Sequence, residues 1–164
     1  MPAFIPQYFE RTLQIKHGEG YCSSLTNLQP FTKGDVVGSF KSTMTLSDKR
    51  YSTVQIDANT NIELNSELVF INHSCDPNVY IDTKNMQFVA LKDLPVGTEL
   101  TFFYPSTEWT MQQPFECWCG ASNCLKEVKG ARFIDGKILE KHLLSDHVTK
   151  LMNDRDRTEK AVAL

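Results

Sequence analysis

The side chains best able to do chemistry lie in two short stretches. FINHSCDPNV, residues 70–79, sets Asn72, His73, Ser74, Cys75, Asp76 and Asn78 directly behind the apolar run Leu68-Val69-Phe70-Ile71. ECWCGASNC, residues 116–124, brings Cys117, Cys119 and Cys124 within eight residues. Thiols this close are poorly placed to pair with one another, yet thiolates fanned around a tight glycine-containing loop can share one soft cation. Read without function, the three are free thiols in a surface loop. A tetrahedral site needs a fourth ligand. The sequence offers Cys22, Cys75 and four histidines, and spacing alone does not choose among them.

Two further stretches are ambiguous by themselves. HGEGYC places Gly18 and Gly20 around Glu19, which is too short for a dinucleotide-binding fingerprint and has no clear helix after it. It reads as a tight turn, or as a place where missing Cβ atoms let backbone approach a ligand. ELTFFY, residues 99–104, reads as a strand with Phe102 and Tyr104 on one face and Phe103 on the other. Such a strand is core by default, as His73 alone would be a satisfied buried histidine.

These side chains need a scaffold, and 164 residues suffice for one domain with a real core. A formal net charge of -3 gives no bulk attraction to nucleic acid or to an acidic membrane surface. The start, MPAFIPQYFERT, has prolines at 2 and 6 and no continuous apolar run, so it reads as neither signal peptide nor membrane span. The expected setting is therefore intracellular and reducing, where five cysteines point to free thiols or metal. Segments 36–40, 51–56, 68–71, 79–82, 86–91 and 99–104 are rich in β-branched and aromatic residues between turn formers, and read as strands. Lys84-Asn85 turns one hairpin, and Pro95 and Gly97 fit the second and fourth positions of a type I turn. Helical spacing comes late, in Ile134, Ile138, Leu139, Leu143, Leu144, Val148, Leu151 and Met152, and predicts one apolar face. The last dozen residues, rich in charge, read as a solvated or frayed helix.

Taken in order, GEG at 18–20, NHSCDPN at 72–78, GTELTFFY at 97–104 and CWCGASNC at 117–124 resemble the SET-domain methyltransferases with their post-SET zinc motif, over roughly residues 9–130. The resemblance implies a mainly β fold of small curved sheets with a threaded pseudoknot, an exceptional topology. It divides the chain into a SET domain (1–116), a post-SET zinc loop (117–130) and a C-terminal helical tail (131–164). It further implies that Gly18, Glu19 and Gly20 contact S-adenosylmethionine through backbone, that Asn72 holds its amino acid part, and that His73 meets the adenine through main chain. Tyr104 matches the active-site tyrosine, and Cys75 joins Cys117, Cys119 and Cys124 on a structural zinc. Trp118 or Leu125 covers the adenine. Phe102 stands where some relatives carry a hydroxyl that holds a space-filling water, so its ring favours di- or trimethylation.

The implied activity is methyl transfer to a protein lysine amine, without direct nucleic-acid or membrane binding, in the cytoplasm or nucleus, by a monomer or homodimer. The chain departs from the family pattern at Tyr21-Cys22, at Phe103 where an acidic residue is common, and at Phe70. Only about thirty residues separate Phe40 from Asn72, so the insert that shapes much of the peptide groove in larger relatives is nearly absent. That shortness and the Phe103 replacement motivate the alternative of a small-molecule or natural-product substrate, methylated or cyclised in the same pocket. A non-catalytic binding module is disfavoured because Asn72, His73 and Tyr104 occur together.

Overall fold

The computed structural model describes residues 12–18, 23–41, 45–46, 49–64 and 66–162. Glu19, Gly20 and Cys22 lie outside them. The chain runs through β1 (Leu13–Lys16), β2 (Ser24–Asn27), β3 (Val36–Ser39), β4 (Thr45–Leu46), β5 (Thr53–Gln55), β6 (Asn61–Glu63), β7 (Asn72–His73), β8 (Val79–Asp82), β9 (Gln87–Ala90), β10 (Thr101–Phe102), β11 (Phe115–Glu116) and β12 (Glu127–Val128). Two helices follow, α1 (Gly136–Leu139) and α2 (Asp146–Val162). The strands form small sheets, β3-β9-β8 and β4-β6-β5 with three strands each, and the pairs β1-β2, β7-β10 and β11-β12. This is the mainly β architecture expected, with α-helix, among the described residues, confined to the tail.

The hairpin β8-β9 turns where Lys84-Asn85 predicts, because the Asp82 carboxylate accepts both their backbone N–H groups. Gly34 and Gly97 both have positive φ, 95° and 83°, at the third position of turns closed by Asp35 N–H to Thr32 carbonyl and Thr98 N–H to Pro95 carbonyl. The second turn therefore spans 95–98, one residue later than the type I turn expected. Positive φ at the third position is the demand of a type II turn, which glycine meets without strain.

Two expected strands are corrected. Residues 67–70 form a 3-10 turn, not a strand, with Leu68 and then Ile71 fully buried. Four consecutive apolar residues carry no periodicity to separate the two conformations. The 99–104 strand contracts to β10, after which Tyr104–Ser106 is a 3-10 turn. Pro105 has no N–H to continue a ladder. Alternation survives nonetheless: Phe102 and Tyr104 pack into the main core with Leu25, Phe88 and Leu100, while Phe103 belongs to a second cluster.

That second cluster anchors the tail. Ile134, Leu139, Val148 and Met152 are buried around Phe103 and Ala131. Each such side chain contributes roughly 1.5–3 kcal/mol in transfer from water. The expected single face is broken in two, however, and Ile138 and Leu143 are exposed. The break falls at Ser145, whose hydroxyl accepts the Val148 N–H and restarts the helix as an N-cap. α2 then continues to Val162, through the charged stretch. Arg155 rivets it down, its Nη1 donating to the carbonyls of Ala131, Arg132 and Ile134 while the guanidinium lies 5.6 Å from the Trp109 ring centroid.

One glycine is indispensable to this junction. Gly130 has φ of 115°, and a Cβ there would lie 2.5 Å from the Trp109 carbonyl oxygen. The obstacle is backbone, which cannot swing aside as a side chain does. Gly130→Ala is expected to cost about 2–4 kcal/mol from left-handed strain plus the clash. Urea unfolding should show a lower midpoint, and a wild-type midpoint would refute the packing described.

Candidate functional site

The site grows from the parallel pair β7-β10, in which Thr101 stands opposite Asn72 and Phe102 opposite His73. A parallel pair needs a crossover, here the β8-β9 hairpin between them. Short as it is, the pair is extended at both ends. Ser74 N–H donates to the Phe102 carbonyl at 3.1 Å. The Asn78 side chain then acts as a surrogate strand, its amide donating to the Glu99 carbonyl at 2.7 Å and its oxygen accepting the Thr101 N–H at 2.9 Å. Asn78 is thus a structural member of the motif.

Tyr104 closes the arrangement from the other side. Its hydroxyl donates to the Ile71 carbonyl at 3.0 Å, and its N–H donates to His73 Nδ1 at 3.1 Å. Burial pushes the phenol up to about 12, so it stays a protonated donor at neutral pH. Its ring lies 4.7 Å from Phe102, 5.3 Å from His73 and 6.0 Å from Phe115, centroid to centroid. Burial, and secondarily repulsion from His142, drives His73 down to about 4 and leaves the imidazole neutral. Asn72 is half-buried and donates to the Ser23 carbonyl at 3.0 Å. Gly18 is exposed.

The cysteines form the second half. Cys75, Cys117, Cys119 and Cys124 place their sulfurs within 4.8 Å of one another, with Cys75 and Cys117 at 3.9 Å. Ligands about 2.3 Å from a tetrahedral zinc stand about 3.8 Å apart, so the cluster is sized for one ion. Among the described residues, the choice left open by spacing falls on Cys75 by proximity. Burial pushes the Cys75 thiol well above its ordinary range and Cys117 up to about 11. At Cys119 burial also opposes ionisation, but backbone N–H groups and the neighbouring thiols overcome it and bring the thiol down to about 6. A shared divalent cation would resolve that conflict by deprotonating all four. Backbone donors already point at sulfur: Leu125 N–H reaches Cys75 Sγ at 3.3 Å and Lys126 N–H reaches Cys124 Sγ at 3.4 Å. Asn123 donates to the Cys75 carbonyl at 2.8 Å, and β11-β12 pins the base of the loop. Of the two side chains expected to cover adenine, Trp118 is 86% exposed and Leu125 half-buried against the cysteines.

Sequence reasoning missed one partner. His142, from the segment between α1 and α2, stacks on Phe103 with centroids 3.8 Å apart and planes 8° from parallel. The stack occupies the space beside Phe103, a position at which the resemblance leads one to expect an acidic residue. Nothing in the spacing of the tail singles out His142.

A family model for the SET domain matches residues 7–105. Over the whole length, the chain is 38% identical to the methyltransferase flvH of Aspergillus flavus, covering 96% of this chain and 93% of that one. It is 33% identical to an H3 lysine-36-specific histone-lysine N-methyltransferase of Candida albicans over 56% of this chain but only 11% of that protein. Among solved structures, Arabidopsis thaliana SUVH6 in complex with SAM superposes with a TM-score of 0.58 at 18% identity, over 70% of this chain and 32% of that one. KRYPTONITE in complex with mCHG DNA and SAH gives 0.56 at 22% identity, over 70% and 28%. The chain thus spans nearly all of flvH, about a tenth of the histone-lysine enzyme and under a third of these two solved structures.

Proposed function

This chain belongs to the SET-domain family of S-adenosylmethionine-dependent methyltransferases, and we propose that its methyl acceptor is the neutral side-chain amine of a protein lysine. The observation that supports this most is the double tie of Tyr104 to the 71–73 segment, which holds a protonated phenol next to Asn72 and His73.

S-adenosylmethionine, when bound, supplies an electrophilic methyl on a positively charged sulfur. Asn72 carries the paired donor and acceptor that a zwitterionic amino acid group requires, and the backbone of Gly18, Glu19 and Gly20 would supply the further contacts that the resemblance implies. A lysine ammonium, with a solution pKa of about 10.4, must first shed its proton. Desolvation among Phe102, Tyr104 and Phe115 and the nearby positive charge both favour the neutral amine. The residues around Tyr104 offer no general base: the phenol stays protonated, and both nitrogens of His73 have partners. Rate then comes from positioning, with the Tyr104 hydroxyl and main-chain carbonyls orienting methyl and amine. Cys75, Cys117, Cys119 and Cys124 would hold a structural Zn2+ that fastens the 117–130 loop, with Trp118 and Leu125, onto the SET domain of residues 1–116. The tail from 131 braces that junction through Phe103.

A second reading has its own support. The relative matched along its whole length is named only as a methyltransferase, whereas the histone-lysine enzyme is matched over a tenth of its length. With a short stretch between Phe40 and Asn72, the substrate on this reading is a small molecule or natural product.

Incubation with tritiated S-adenosylmethionine and, separately, a whole-cell protein extract and a small-metabolite fraction decides between them. Label is expected in protein, recovered after hydrolysis as di- or trimethyl-lysine because Phe102 lacks a hydroxyl. Label confined to the metabolite fraction selects the second reading, and label in neither rejects both.

A further inference from the structure

We propose that His73 is a positioning residue whose side chain links the cysteine centre to Tyr104, an inference that rests on the metal and tyrosine roles just given. A neutral imidazole has one donor and one acceptor nitrogen. The Tyr104 main-chain N–H can only donate, so Nδ1, 3.1 Å away, must carry the lone pair. The proton therefore sits on Nε2. That nitrogen lies 3.4 Å from Cys75 Sγ, so the ring donates to the sulfur. Cys75 also receives the Leu125 N–H, so its sulfur is held from two sides.

The ring is held in this orientation on three sides, by Phe103 and Phe115 at 5.6 Å and Tyr104 at 5.3 Å. Its backbone is fixed by the register of His73 opposite Phe102. Three hydrogen bonds, bridged by the covalent frames of the imidazole and of Tyr104, thus run from the Cys75 sulfur to the Ile71 carbonyl. Partners of this kind orient metal ligands and tune their basicity. The consequence is reciprocal. A loaded centre steadies Tyr104, and an intact imidazole slows loss of the ion.

Two substitutions separate the two ends. His73→Asn keeps a carbonyl near the place of Nδ1, and His73→Gln keeps an amide N–H near the place of Nε2. The readouts are release of Co2+ from the cobalt-loaded full chain to a chelator, the thiolate-to-cobalt charge-transfer band, and hydrogen exchange of the Tyr104 amide. His73→Asn is expected to release cobalt on the order of 10- to 100-fold faster and to shift the band, with the amide still protected. His73→Gln is expected to hold cobalt near the wild-type rate while the Tyr104 amide exchanges about tenfold faster. Equal behaviour of the two variants overturns the linkage. Wild-type chain that takes up no cobalt overturns the metal reading beneath it as well. Independently of any variant, imidazole 15N spectra of the wild type must show Nε2 protonated and Nδ1 bare, and the opposite tautomer rejects the proposal.

Discussion

Tyr104→Phe is expected to slow methyl transfer by on the order of 10- to 1000-fold while leaving S-adenosylmethionine affinity within about twofold, the range set by one oriented donor lost from a reacting centre. The phenol is positioned for that role by burial and by its neighbours. It is kept protonated, and its backbone and hydroxyl are both tied to residues 71–73. Removing the hydroxyl leaves the Ile71 carbonyl without this donor, which costs about 1 kcal/mol of stability. The ring contacts with Phe102, His73 and Phe115 stay, so fold and metal content should be unchanged. Single-turnover transfer with labelled cofactor, beside calorimetric titration of the same cofactor, separates the orienting role from binding. Transfer at the wild-type rate would remove Tyr104 from the mechanism. Lost affinity with a normal single-turnover rate would make it a binding residue instead.

How far the sequence reaches depends on how local the cause is. The hairpin at Lys84-Asn85 was legible because Asp82, two and three residues away, supplies the acceptor that closes it. The opposite destinations of Phe102 and Phe103 follow from the two-residue period of extended chain, even though the ladder is only two residues long. The conformation of 67–70 was not legible, since a short apolar run is equally consistent with strand and 3-10 turn. Nor was the break in the tail, because Ser145 acts as a cap only once α1 has ended and the Val148 N–H has turned toward it. The site divides in the same way. Three cysteines announce themselves by spacing. Cys75 is 42 residues from Cys117 and was one candidate among several until the resemblance singled it out. His142 against Phe103 and His73 against Cys75 are products of packing, and depend on where the crossover and the tail deliver two rings.

Loss of Cys75 is expected to empty the metal site. Wild-type chain should carry one zinc, Cys75→Ser almost none, and Cys22→Ser the full amount. The argument is geometric first. Cys75 is 1% exposed and touches Cys117, the Leu125 N–H and His73, so it is the member that joins the 72–78 segment to the 117–124 loop. Three thiols remaining within one loop keep a partial site, but they lose the ligand whose backbone Asn123 also grips. The damage should be local, because β11-β12 and the Cys117 N–H to Lys126 carbonyl bond hold the loop base without metal. Elemental analysis measures the stoichiometry, and protease sensitivity between 117 and 125 measures the detached loop. Chelation of the wild type should reproduce the variant. The pH dependence has a definite sign: Cys75 and Cys117 are pushed upward by burial, the ion must displace their protons, and protons compete with it. Zinc should therefore be held more weakly as pH falls. Full zinc in Cys75→Ser together with loss in Cys22→Ser would instead make Cys22 the fourth ligand, and would uncouple the metal from His73 and Tyr104.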